Sequence, residues 1–400
     1  MVQSNQVPES ALARFLPCRY GSGMLMSSTS KKINQKVVKP KPTALSLFAG
    51  AGGMDLGVEQ AGFNVVGSIE VDPNACATLR NNRGPETVVI EADIRTINPR
   101  RLLKQLDLDE GLDLLFGGPP CQTFSQIGKQ AGVNDVRGML LFEMVRFAKI
   151  LRPKVVMIEN VKGLISAKGP KGERGEVLSM LLLELTKVGY RCRFAVLNAA
   201  DYGVPQNRRR VFIVATEKTL PELDFPHQTH SESETVGLFS TQLPHVTVGD
   251  VIGGLPFPGR RTDKEVVPNH IDVTPPGDVR RIIGVGEGSH LARELHLPLS
   301  QRGKLSRKDT TKFLRTSRFR PSNTLRCGEI FYHPLENRYL TPREYLRIHG
   351  YPDTYILSGP IRSRTGVVRE LDQHRLVANS VPPPLAKAVA NQIYQLLSSL

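Results

Sequence analysis

Seven short apolar runs mark the chain at 44–48, 65–69, 88–90, 112–116, 155–158, 194–197 and 211–214, each rich in Val, Ile, Leu or Phe. They are near-continuous rather than alternating, which predicts strands of a parallel sheet covered on both faces. Helical patterns lie between several of them, over 73–81, 139–151 and 176–187. This β-α-β grammar predicts an α/β fold with a doubly wound, mostly parallel sheet. After Thr216 the grammar fades into a stretch rich in Pro, Gly, His and Arg, which predicts a second, smaller domain. A helix returns over 341–349, with Thr341 as N-cap, Pro342 in the first helical position and Glu344 closing a capping box. A last helix is predicted over 385–397, and residues 1–40 show no clear period.

Composition narrows the class. The 400 residues carry a net charge of +15, which favours a polyanionic partner. Eight Lys or Arg against one acidic residue fall within 301–320, giving the second domain a basic face. No apolar run is long enough for a membrane span, and no signal-peptide pattern opens the chain. The five cysteines, Cys18, Cys76, Cys121, Cys192 and Cys327, form no C-x-x-C pair. A disulfide framework or a metal cluster is therefore not expected, and a reducing compartment is.

The candidate chemistry sits just after the predicted strands. Phe48-Ala49-Gly50-Ala51-Gly52-Gly53 follows the first, where glycines let the backbone approach a ligand closely. Glu70 ends the second, placed to accept hydrogen bonds from ribose hydroxyls; Asp93 and Ile94 follow the third and could flank an adenine. Gly117-Gly118-Pro119-Pro120-Cys121-Gln122 follows the fourth and leaves a thiol at the tip of a sharp loop. Cys121 reads as a nucleophile if a partner activates it, and otherwise as a small buried hydrophobe. Glu159-Asn160-Val161 follows the fifth, and Glu159 is either a proton donor of raised pKa or a hydrogen-bonded strand-end carboxylate. Gln206-Asn207-Arg208-Arg209-Arg210 precedes the seventh, with Arg208 and Arg210 on one side of an extended chain. In an open parallel sheet those strand ends form one crevice.

Together these motifs resemble the DNA (cytosine-5)-methyltransferases of bacterial restriction–modification systems. Arg338-Tyr339-Leu340-Thr341-Pro342-Arg343-Glu344 and Asn379-Ser380-Val381-Pro382-Pro383 extend the likeness in the same order. It runs from residue 43 to the C-terminus, apart from a variable stretch. Ala378 stands where the final motif usually has Gly, His349 where the small-domain helix usually carries Gln, and Val71 beside Glu70 where an aromatic residue is frequent.

The resemblance implies a Rossmann-like sheet, S-adenosylmethionine as cofactor and double-stranded DNA as substrate. It implies Cys121 as nucleophile on carbon-6 of cytosine, Glu159 on ring nitrogen-3 and the amine, and Arg208 on the carbonyl oxygen with Arg210 in support. Phe48 and Ile94 would sandwich the adenosine, Glu70 hold the ribose and Asp93 the adenine. Gly50, Gly52, Gly53, Pro120, Leu140 and Asn379 would complete the pocket. The implied organisation is a disordered basic tail (1–40), a catalytic and cofactor-binding domain (41–217), a small target-recognition domain (218–375) and a returning C-terminal segment (376–400). Residues 123–140 are expected to form a loop that closes on DNA, and base contacts are expected from 218–335, with Arg315, Arg318 and Arg320 reaching phosphates before bases. The enzyme is expected to be a monomer in the bacterial cytoplasm, associated with the nucleoid, alongside a cognate endonuclease. An RNA cytosine methyltransferase of the same fold and a silent DNA-binding relative are the alternatives; no Cys-Phe-Thr tripeptide of the transfer-RNA type stands near the small domain.

Overall fold

In a computed structural model, the described residues are 40–108, 111–120, 140–232, 241–260, 266–302, 313–362 and 370–400. Seven strands form one sheet: β1 (Thr43–Leu47), β2 (Asn64–Glu70), β3 (Val88–Glu91), β4 (Leu114–Gly117), β5 (Val155–Val161), β6 (Tyr190–Asn198) and β8 (Arg209–Glu217). A two-residue strand, β7 (Gln206–Asn207), lies outside it and pairs with Ser322–Asn323. The sheet order is β3-β2-β1-β4-β5-β8-β6. The first five strands run parallel, and β8 runs antiparallel to both β5 and β6. Strand order reverses between β1 and β4, and such a switch opens a crevice at the carboxyl ends of the strands.

Both faces of the sheet are covered, which is why its central strands read as unbroken apolar runs. On one face Leu45, Leu47, Leu115, Val156, Ile158, Val211 and Ile213 pack under the helices Pro99–Gln105, Glu143–Leu151 and Glu176–Lys187. On the other, Ala44, Phe116, Val155, Met157 and Phe212 pack under the helices Gly53–Gln60 and Pro383–Ser398. Those two helices touch closely at Gly57, where a Cβ would stand 2.5 Å from the Pro383 carbonyl oxygen.

Several ends differ from the sequence expectation. β1 stops at Leu47 because Phe48 adopts a left-handed conformation, φ 56°. β6 begins four residues early, at Tyr190, because an edge strand exposes polar residues that an apolar count misses. β5 continues through Glu159 to Val161 because antiparallel β8 pairs with it as far as Arg210, so Glu159 lies inside a strand rather than after one. The expected helix over 139–151 is a 3-10 turn, Leu140–Phe142, followed by Glu143–Leu151, and Met139 falls outside the described residues.

A third cluster of buried residues, from Val248 to Ala378, holds Phe331, Tyr332, Tyr345, Leu346 and Ile348, and it also takes in Ala51 of the glycine loop. The helix Pro342–Ile348 starts with the expected cap: Thr341 accepts from the Glu344 backbone N–H, and Glu344 accepts from that of Thr341. Arg315 is a correction: it is buried, and its guanidinium donates to the carbonyls of Pro334 and Ile282 and to Asn337 Oδ1, so it is not free to reach a phosphate. Arg318 and Arg320 are exposed. No helix among the described residues is long and apolar enough to cross a membrane.

Candidate active site

A cavity of about 640 Å³ opens at the carboxyl ends of the parallel strands. Its wall contains Phe48, Gly50, Glu70, Asp93 and Ile94 from the ends of β1–β3, together with Pro120, Leu140 and Asn379. Glu159, Arg208 and Arg210 line it as well. Cys121 and residues 123–139 lie outside the described residues, and Pro120, to which Cys121 is bonded, lines the cavity.

Glu70 is built into the loop it faces. Its Oε2 accepts from the Gly50 N–H at 2.7 Å, and its Oε1 accepts from those of Val71 and Asp72 at 2.8 and 2.9 Å. A carboxylate offers about four acceptor positions. Three are taken, so one remains open toward a ligand hydroxyl rather than a free pair. Phe48, a bulky residue held at φ 56°, turns the chain into the loop and leaves its half-buried ring on the cavity wall. Ile94, buried, supplies a second apolar surface. Asp93 is more engaged than its sequence position suggests: its carboxylate accepts from the backbone N–H and the guanidinium of Arg95, and those hydrogen bonds hold its pKa below the usual range.

Gly52 and Gly53 do not line the cavity. A Cβ on Gly52 would stand 2.6 Å from Tyr355 Oη, and one on Gly53 would stand 2.2 Å from the Val381 carbonyl oxygen. Both glycines let the loop press against its neighbours. Gly50, with φ 54° and open space where a Cβ would be, faces the cavity.

Charge concentrates at Glu159, Arg208 and Arg210. Glu159 is 8% exposed, and Arg210 Nε donates to its Oε1 at 2.9 Å. Burial pushes the Glu159 pKa up, against the opposing pull of Arg210 and Arg208. The proton-holding form is therefore favoured more than in water. Arg208 is 2% exposed; its Nη2 donates to the carbonyls of Ala378 and Ser380 at 2.8 and 2.9 Å, and its Nε is buried without a partner. Burial, then Arg210, lowers its pKa. Arg209, between them, is exposed, as an extended chain requires.

Three contributors escaped the sequence reading. Asn160 is buried and its Nδ2 donates to the Pro119 carbonyl at 3.0 Å, tying β5 to the loop that leads to Cys121. Cys327 Sγ donates to Asn379 Oδ1 at 2.6 Å on the cavity's edge. Arg95 lines the cavity beside Asp93. A polar Asn within an apolar strand was a legible signal, whereas the contacts of Cys327 and Arg95 depend on chain segments meeting in space. Among the described residues no cluster of His, Cys, Asp or Glu could hold a metal.

The cavity thus sets Phe48 and Ile94 with the carboxylates of Glu70 and Asp93 at the ends of β1–β3, and the buried Glu159–Arg210 pair at the end of β5. Residues 43–395 match the C-5 cytosine-specific DNA methylase family. The chain is 42% identical over 227 residues to the type II methyltransferase M.AquIA of Picosynechococcus, covering 53% of this chain and 88% of that protein. It is 31% identical to M1.HphI of Haemophilus parahaemolyticus, covering 88% of this chain and 87% of that protein. It is 33% identical to M.Eco47II of Escherichia coli, covering 90% and 80%. A solved prophage-encoded E. coli chain, assigned as a DNA modification methyltransferase, shares the fold with a TM-score of 0.65 at 22% identity over 90% of this chain and 100% of that one. The chain belongs to the C-5 cytosine-specific DNA methylase family. It is a DNA (cytosine-5-)-methyltransferase, and members of its family draw the methyl group from S-adenosylmethionine.

Proposed function

We propose that this enzyme binds S-adenosylmethionine in the described cavity and methylates carbon-5 of a cytosine flipped out of duplex DNA, through a covalent adduct with Cys121. The observation that carries the proposal is the buried Glu159–Arg210 pair in one cavity with Glu70, Phe48, Ile94 and Pro120, the residue before Cys121. The remaining acceptor position of Glu70 takes a ribose hydroxyl, Phe48 and Ile94 take the adenine faces, and Asp93 takes the adenine edge only where Arg95 gives way. The cofactor supplies an electrophilic sulfonium methyl.

Carbon-5 of cytosine is a poor nucleophile until a thiolate adds at carbon-6. The Cys121 sulfur forms that bond, and the displaced ring electrons move toward carbon-5 while Glu159 hydrogen-bonds nitrogen-3 and the amine. With S-adenosylmethionine bound, carbon-5 so activated would be the nucleophile toward its methyl group. A water then takes the carbon-5 proton, the electrons of that bond re-form the carbon-5–carbon-6 double bond, and the Cys121 thiolate leaves from carbon-6. Arg210 holds the carbonyl oxygen, because it is the guanidinium paired with Glu159 and so stands beside any ring that Glu159 contacts. Arg208, held by two carbonyls, positions the wall around it. This exchanges the roles expected for the two arginines from sequence.

A stacked base cannot enter such a cavity, and extruding it costs about a few kcal/mol. Base contacts come from 218–335, and the exposed Arg318 and Arg320 take phosphates. The enzyme acts as a monomer and as the modification partner of an endonuclease that cuts the same site. A duplex carrying 5-fluorocytosine at the target tests the chemistry, because fluorine blocks the final elimination. It is expected to trap a covalent complex that needs both S-adenosylmethionine and Cys121; turnover conditions that leave no adduct would refute thiol addition.

A further inference from the structure

His349 lines no part of the cavity and is fully buried at the C-terminal end of the helix Pro342–Ile348. Three distant segments meet at its ring. Gln206 Nε2 donates to Nδ1 at 2.9 Å, and Nε2 donates to the Ser380 carbonyl at 3.0 Å. That same carbonyl accepts from Arg208 Nη2 at 2.9 Å. Gln206 Oε1 in turn accepts from the Leu325 N–H at 3.2 Å, which fixes the orientation of the amide.

We propose that His349 is a positioning residue, whose neutral ring joins Gln206 to the Ser380 carbonyl and thereby holds Arg208 and the Ala378–Asn379 edge in the cavity wall. The partners dictate a single tautomer: the amide offers Nδ1 a donor, and the carbonyl demands a proton on Nε2. A charged ring would set a second N–H against the Gln206 amide, with the Arg208 guanidinium close by. Burial, then Arg208, keeps the His349 pKa well below its usual value. Gln would offer one donor and one acceptor as well, and the family resemblance has Gln at this position.

The inference rests on the proposed place of Arg208 in the active site, so Arg208→Met is measured alongside. His349→Phe keeps a ring of similar outline and removes both hydrogen bonds. Its kcat for methyl transfer is expected to fall about 10–100-fold, the usual loss when a partner that orients a functional side chain is removed. KM for DNA and for S-adenosylmethionine should stay within about 3-fold, which marks an interaction felt mainly in the transition state. His349→Gln should restore kcat to within about 3-fold of the parent enzyme. Gln206→Met removes the same link from the other side and should repeat the kcat loss if His349→Phe does not fold. Leu346→Ala, on the same helix but outside this network, should lower thermal stability and leave kcat intact at a temperature where it is folded.

A parent-like kcat in a folded His349→Phe or Gln206→Met variant overturns the inference, as does failure of His349→Gln to restore kcat or an equal kcat loss in Leu346→Ala. If Arg208→Met itself retains full kcat, the reading of Arg208 fails, and the inference fails with it for that separate reason.

Discussion

Replacing Glu159 by Gln separates chemistry from folding. The substitution keeps shape and hydrogen-bonding reach but removes the group able to hold and share a proton with the ring. General acid–base partners contribute about 10²–10⁴-fold, which corresponds to about 2.7–5.4 kcal/mol of barrier. Single-turnover methyl transfer should fall by that factor. Binding of S-adenosylmethionine, held by other residues of the cavity, should change by less than about 3-fold. Stability should respond differently. Removing one partner of a buried ion pair costs about 3–5 kcal/mol when the pair is well compensated. Here burial outweighs the attraction of Arg210, since the carboxyl pKa is raised, so the loss should be smaller. The sign of its pH dependence follows. A raised folded pKa favours the folded state fully below the unfolded glutamate value of about 4.3 and progressively less as pH rises through the folded value. Glu159→Gln lacks that decline, so its stability relative to the parent should improve as pH rises across that window. Denaturant titrations at several pH values, isothermal titration of the cofactor and rapid-quench transfer assays measure the three quantities. Equal losses in transfer rate and cofactor affinity would reject the assignment of Glu159.

Gly53→Ala should destabilise the protein by about 1–3 kcal/mol through overpacking, because its Cβ would meet a backbone carbonyl at 2.2 Å; chemical denaturation measures this, and a parent-like midpoint would contradict the packing. Glu344→Gln should cost about 3–5 kcal/mol near neutral pH, because Glu344 accepts both Nη groups of Arg338 at 2.7 and 2.8 Å in a buried pair. Burial alone would raise the Glu344 pKa, yet the hydrogen bonds and charge of Arg338 hold it below the usual range. That contribution is present above the unfolded value of about 4.3 and is lost as pH falls through the lower folded value, so the gap between variant and parent should close in acid; a constant gap would contradict the linkage.

The seven strands were legible because a sheet buried on both faces writes itself as apolar runs, and the crevice followed from the residues placed after those runs. The strand ends were not, because they depend on neighbours: antiparallel β8 lengthens β5 past Glu159, and an exposed edge lets β6 carry Arg191 and Arg193. The family likeness supplied most of the cavity wall, including Pro120, Leu140 and Asn379. Local motifs could not say which glycine faces a ligand and which meets a tyrosine, and they gave Arg315 to the surface although three acceptors hold it inside. Arg95, two residues after Asp93, is not singled out by the sequence, because a carboxylate's nearest cation is chosen by turn geometry.

The helix Pro383–Ser398 lies against the helix Gly53–Gln60, and the end of the helix before it supplies the Ala378 and Ser380 carbonyls that hold Arg208. A growing chain therefore carries its glycine loop, acid and arginines out of the ribosome long before the cavity can close around them.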